Sequence, residues 1–123
     1  MYYVSKRMEI CAAHRLNLDY ESACKNWHGH GYVVVVYCRA NKLNHNGMIV
    51  DFKSVKNKIH GTFDHHCVND IMGDVNPTAE NMAELICEMV NEIFSLPAED
   101  GDGECYKVSV QESEGNIAVY EID

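Results

Sequence analysis

A chain of 123 residues with 19 Asp and Glu against 10 Lys and Arg, net charge -9, fits one compact domain over 1–123. It lacks the positive field that generic nucleic-acid binding needs, and no run of ~18 apolar residues is present to span a membrane as a helix. A domain this small buries only about two-thirds of its unfolded surface, so an active site shared between subunits is expected.

Residues 3–14 alternate, placing Met8, Ile10, Ala12 and His14 on one face of a strand. HGYVVVVYCRA, residues 30–40, is β-branched and aromatic and predicts a second strand. NKLNHNG at 41–47 reads as a turn, after which Met48-Ile49-Val50 is expected to extend a strand edge. Asp51 then reads as an N-cap. Phe52, Val55, Ile59 and Phe63 recur at near-helical spacing, predicting a helix over 52–61 that ends near Gly61.

Asn76-Pro77-Thr78 supplies the cap and first turn of a second helix. Its apolar stripe is Met82, Leu85, Ile86, Met89, Ile93 and Phe94, and Pro97 with AEDGDG (98–103) closes it. Strands follow over 105–112 and 116–122 around a hairpin turn at Ser113-Glu114-Gly115-Asn116, with Tyr106, Val108, Val110 and Glu112 on one face. The order β-β-α-α-β-β implies an α+β fold, helices on one face of an antiparallel sheet.

Six cysteines, at 11, 24, 38, 67, 87 and 105, show no CxxC clustering. MYYVSKRMEICAAHR lacks the apolar core of a secretory signal. A reduced, cytoplasmic protein is therefore expected. Cys38 and Cys87 fall in apolar strand and helix patterns and read as core residues.

His28 and His30, two apart in a strand, point to one face. His14, at the end of the hairpin partner, can lie across from them. Three imidazoles with no obvious fourth ligand leave an open position, the pattern of catalytic zinc. Cys24 as fourth ligand would instead make a closed, structural site. Asp64 beside His65 can orient an imidazole for proton transfer, or the pair can be a helix end meeting carbonyls. Glu112, a carboxylate on a half-buried face, is costly unless paired. It is either a strand end already in solvent or an acceptor for a ligand with a guanidine-like edge. The alternatives to an enzyme are a structural zinc module and an interaction domain without chemistry.

Taken in order, Ala12-Ala13-His14-Arg15-Leu16, Cys24 followed by His28-Gly29-His30, Asp64-His65-His66, Pro77-Thr78-Ala79-Glu80-Asn81 and Glu112 resemble the 6-pyruvoyl-tetrahydropterin synthase superfamily. The resemblance implies the tunnelling fold, a four-stranded antiparallel sheet with two helices between strands two and three. It also implies a homohexamer of two stacked trimers. Three residues separate Cys24 from His28, which resembles the 6-carboxy-5,6,7,8-tetrahydropterin synthase branch of queuosine biosynthesis; animal-type 6-pyruvoyl enzymes have five. Glu21 leaves a folate-pathway relative open.

The implied reaction converts 7,8-dihydroneopterin triphosphate to the 6-carboxy product, acetaldehyde and triphosphate. Zn2+ would sit on His14, His28 and His30, and Cys24, Asp64 and His65 would move protons. Glu112 would hold the pterin, with help from the main chain of Thr78. Barrel closure is expected to bring Glu112 toward a histidine cluster of another chain. The substrate's triphosphate needs local cations, for which Arg15, Lys25 and Lys53 are candidates by proximity in sequence.

Overall fold

The structure, a computed structural model, describes residues 1–123. Strands β1 (Tyr2–His14) and β2 (His28–Ala40) form a long hairpin. Helices α1 (Phe52–Phe63), α2 (Val68–Met72) and α3 (Ala79–Phe94) follow, and β3 (Glu104–Ser113) and β4 (Asn116–Glu121) close the chain. The sheet is antiparallel in the order β1-β2-β3-β4, leaving β1 and β4 as free edges.

Period-two patterning decides which sheet face is covered. Met8, Ile10, Ala12 and His14 of β1 and Tyr32, Val34, Val36 and Cys38 of β2 are buried on one face. Against it α1 packs Val55, Ile59 and Phe63, and α3 packs Met82, Ala83, Ile86, Val90 and Ile93. Phe63 is completely buried, and truncation of such a residue to Ala costs about 3–5 kcal/mol. Asp51 caps α1 by accepting the Lys53 N–H at 2.9 Å, and Thr78 caps α3 by accepting the Asn81 N–H at 3.1 Å.

Cys38 and Cys87 are core residues, together with Cys105. The Cys87 thiol donates to the Cys105 carbonyl at 3.5 Å. A hydrogen bond with Cys38, reinforced by burial, pushes the Cys105 thiol up to about 12. The Cys87 and Cys105 thiols, both raised, stay protonated and unreactive.

The structure departs from the sequence expectations at five places. The second strand begins two residues earlier, at His28, because it pairs with β1 all the way to His14. Met48-Ile49-Val50 is not a strand; Ile49 and Val50 are buried in a loop whose backbone is held by the Asn44 side chain, which accepts from Asn46 and Met48 N–H. Helix α1 runs past Gly61 to Phe63 because Phe63 has a core site to fill. The five-residue α2 carries too little periodicity to be seen in sequence. Tyr106 does not share a face with Val108. A bulge between Tyr37 and Cys38 pairing shifts the register, so Cys105 takes the core position and Tyr106 stacks edge-on with Tyr3 at 6.0 Å.

Candidate metal centre and active site

Strand register builds the site. His14, the last residue of β1, is directly paired with His28, the first residue of β2, and His30 follows two residues on. All three imidazoles meet on the helix-covered face at the end of the sheet. Their ring centroids are 4.5, 4.7 and 5.1 Å apart. His14 Nδ1 contacts the Pro77 carbonyl at 2.8 Å and His28 Nδ1 the Asn26 carbonyl at 2.7 Å. A carbonyl can only accept, so each Nδ1 carries the proton and donates it. Each Nε2 is then left with a lone pair, the tautomer that a metal needs.

Glu112 completes the group. One ligand atom from each of His14, His28, His30 and Glu112 lies within 4.8 Å of all the others. Glu112 Oε1 is 2.9 Å from His14 Nε2 and 3.1 Å from His30 Nε2. These approaches lack hydrogen-bond geometry, and both buried Nε2 atoms are without a hydrogen-bond partner. A carboxylate oxygen facing imidazole lone pairs is repulsive unless a cation lies among them. The three imidazole nitrogens, with the carboxylate beside them, suit zinc with a position left open. The residues present therefore fit the metal that the sequence implied.

Cys24 is outside this group, so the closed site with Cys24 as fourth ligand is not assembled. Glu112 reaches the imidazoles of its own chain. Cys24 sits on a single 3-10 turn, Ala23–Lys25, whose cap is Ser22. It borders an open cleft of about 340 Å3 together with His28, His30, Glu112, Ser113 and Asn116.

Asp64 and His65 form a separate unit after α1. Asp64 Oδ1 accepts the Cys11 N–H at 2.9 Å, and Oδ2 lies 3.5 Å from His65 Nε2 and 3.8 Å from His60 Nδ1. The Cys11 N–H holds the Asp64 carboxyl below its ordinary value, and the neighbouring histidines add to this. His65 has φ +60, an uncommon conformation for a residue with a side chain. Its N–H donates to the Cys11 carbonyl at 2.6 Å. It opens onto a second cleft, with Cys11, Gly29, Gly31, His66 and Cys67, and His30 alone borders both clefts.

Thr78 lies at the start of α3. Its N–H donates to the Asn76 carbonyl at 2.8 Å and its carbonyl accepts from Met82 at 2.9 Å. Its successors Ala79 and Glu80 border a third recess beside Glu112.

Residues 3–123 match the family described as 6-pyruvoyl tetrahydropterin synthase. The chain belongs to the 6-pyruvoyl tetrahydropterin synthase family. It is 30% identical to the 6-carboxy-5,6,7,8-tetrahydropterin synthase of Bacillus subtilis over 125 residues, covering 97% of this chain and 84% of that protein. It is 32% identical to the human 6-pyruvoyl tetrahydrobiopterin synthase, covering 95% and 89%. The structure of Caenorhabditis elegans 6-pyruvoyl tetrahydropterin synthase superposes with a TM-score of 0.75 at 26% identity, over 99% of this chain and 96% of that one. The four-stranded sheet with helices between strands two and three is the fold of these tetrahydropterin synthases.

Sequence reasoning missed Tyr32 and the two carbonyls that orient the imidazoles. Tyr32 is fully buried, with its hydroxyl 3.1 Å from His14 Nδ1 and its ring edge-on to His14 and His30. Burial, reinforced by the Glu112 charge, raises its hydroxyl well above the ordinary value, so it stays protonated. Burial likewise lowers His30, against the pull of Glu112, and favours the neutral ring that binds metal. The spacing of His30 and Tyr32 on one strand face was the available signal; nothing in the sequence links His14 to Pro77, 63 positions away.

Proposed function

We propose that this chain converts 7,8-dihydroneopterin triphosphate to 6-carboxy-5,6,7,8-tetrahydropterin, releasing acetaldehyde and triphosphate. It would do so as a zinc-dependent carbon–carbon lyase of queuosine biosynthesis in the cytoplasm. The observation that supports this most is Cys24 on the wall of a cleft bordered by His28, His30 and Glu112 of the four-residue cluster. The Bacillus subtilis relative and the three residues between Cys24 and His28 favour the 6-carboxy product.

A zinc ion on His14, His28 and His30 would supply Lewis acidity to the substrate's side-chain oxygens and acidify the adjacent C–H. Cys24 takes the proton from the side-chain carbon as thiolate. Glu112 accepts from the pterin ring N–H and exocyclic amine, a paired, charge-assisted contact that selects for that edge. Thr78 precedes Ala79 and Glu80, which border a recess together with Glu112. Asp64 orients His65 to carry a proton.

Within one chain His65 and Cys24 open onto different clefts. Their joint use requires His65 of one subunit to meet Cys24 of the next, in a homo-oligomer for which the family resemblance gives six subunits. The free β1 and β4 edges suit such closure, since unpaired edges invite strand pairing.

Product analysis with dihydroneopterin triphosphate tests the proposal. Acetaldehyde and a 6-carboxy pterin are expected. Retention of the three-carbon side chain would support a second reading, a phosphorus–oxygen lyase like the human relative. Absence of pterin turnover by zinc-loaded protein would contradict both.

A further inference from the structure

Glu112 stands where two hollows meet. On one side it borders the Cys24 cleft with His28 and His30. On the other it borders a recess of about 590 Å3 with Ala79, Glu80, Gly115, Asn116 and Ile117. That volume is within the range of ligand sites, about 300–1,000 Å3.

The strand leaves this residue unclamped. Gln111 pairs with Val33 of β2 and Ile117 of β4, and Ser113 pairs with Asn116, but Glu112 has no partner in either ladder. The β3–β4 register shifts between Gln111 and Ser113. An irregularity of this kind bends a strand and re-aims a side chain. The Glu112 side chain is 27% exposed, so it is neither sealed in place nor fully solvated.

In the structure the carboxylate is turned toward the imidazoles. Its Oε1 lies 2.9 Å from His14 Nε2 and 3.1 Å from His30 Nε2. No hydrogen bond accounts for these approaches, since both Nε2 atoms are buried without a partner. Ligand atoms on a tetrahedral zinc, with bonds of about 2.0–2.1 Å, stand about 3.3 Å apart. Oε1 is close to that spacing from two imidazoles at once. It therefore stands at the position that the three imidazoles leave open.

We infer that Glu112 is an exchangeable metal ligand: its carboxylate closes the coordination in the substrate-free protein and turns into the recess when a guanidine-like edge arrives. The exchange moves no proton and no electron. The Oε1–metal bond breaks, and an oxygen of the incoming molecule bonds in its place. Two N–H donors on the carboxylate offset the loss of that bond. A simple anion offers none, so it cannot draw Glu112 away. The ligand role rests on the geometry alone, and release by substrate rests on the dihydroneopterin reading.

Azide titration of the cobalt(II)-loaded protein, followed by its visible spectrum, tests this without turnover. Azide seeks the position that Glu112 holds. If Glu112 occupies it at least nine-tenths of the time, Glu112→Gln should bind azide at least about tenfold more tightly than the wild type. Glu112→Asp, one methylene too short to hold the metal, should also bind azide more tightly and serves if the Gln variant does not fold. Glu114→Gln removes the same charge from the exposed turn and should match the wild type. In the wild type, 7,8-dihydropterin has the guanidine-like edge but no side-chain oxygens. It should tighten azide binding toward the Glu112→Gln value, and it should leave Glu112→Gln itself unchanged.

Identical spectra and azide affinities in the wild type and both Glu112 variants would overturn the ligand role. Equal tightening by Glu114→Gln would overturn it too, as an effect of net charge. Dihydropterin that binds, by its fluorescence, without changing azide affinity would overturn the exchange. Tight azide binding by Glu112→Gln with no dihydropterin binding would keep the ligand role and remove the pterin reading.

Discussion

The imidazole cluster and the Asp64–His65 pair are both built on histidine, yet the chain holds them in opposite ways. His14 is fully buried, set by strand register, with Nδ1 spent on a carbonyl. The His65 side chain is 81% exposed and sits on a turn at positive φ, tethered to β1 by backbone contacts with Cys11. Metal binding needs several lone pairs fixed at one point before the ion arrives, which burial and register provide. Proton transfer needs an imidazole that can meet a partner, which an exposed turn provides. The rigid half is assembled from residues of one chain, whereas the exposed half lies open to solvent.

Breaking the rigid half should have the largest effect. His28→Ala removes one of three imidazoles from a half-buried position at the sheet end. It should abolish turnover while circular dichroism remains that of the folded protein. Breaking the proton-transfer half should leave more behind: Cys24→Ala and His65→Ala should lower kcat by ~10²–10⁴ with substrate affinity little changed. Glu112→Gln should act on binding, raising Kd for the pterin, measured directly by fluorescence titration; unchanged affinity would remove Glu112 from that role.

Smaller effects separate strain from function. His65→Gly relieves a left-handed conformation that costs roughly 1–2 kcal/mol for a residue with a Cβ. It adds back glycine's entropy, about 0.5–1 kcal/mol. Urea melts should therefore place the variant within about 1 kcal/mol of the wild type or above it, although activity falls. The smallest effect concerns Asp64. Its carboxyl is held below the ordinary 3.8, chiefly by the Cys11 N–H. The unfolded chain thus binds this proton more readily, and the contribution is present above 3.8 and lost as pH falls through the folded value. Stability of Asp64→Asn should fall less than that of the wild type on acidification below that point.

Much of the site was legible because it depends on strand periodicity. His14, His28 and His30 could be placed on one face from spacing alone, and the hairpin then fixed their register. Glu112 was legible as a carboxylate on a half-buried face but not as a member of its own chain's cluster, because its place depends on how β3 pairs with β2. The bulge that turns Tyr106 outward leaves no mark in an alternating sequence, since Cys105 is as apolar as the pattern requires. Loop 48–50 misled for a related reason: an apolar triplet is buried equally well in a strand or a pinned loop. The contact between His14 and Pro77 depends on the docking of α3, which sequence spacing does not encode.

Zinc stoichiometry in wild type, His28→Ala and Cys24→Ala, measured together after identical loading and dialysis, tests the central claim most directly. The account holds that strand-borne imidazoles bind the metal and the cleft thiol does not. It predicts one zinc per chain in the wild type, none in His28→Ala and one in Cys24→Ala. Stoichiometric zinc in His28→Ala, or its loss from folded Cys24→Ala, would contradict it.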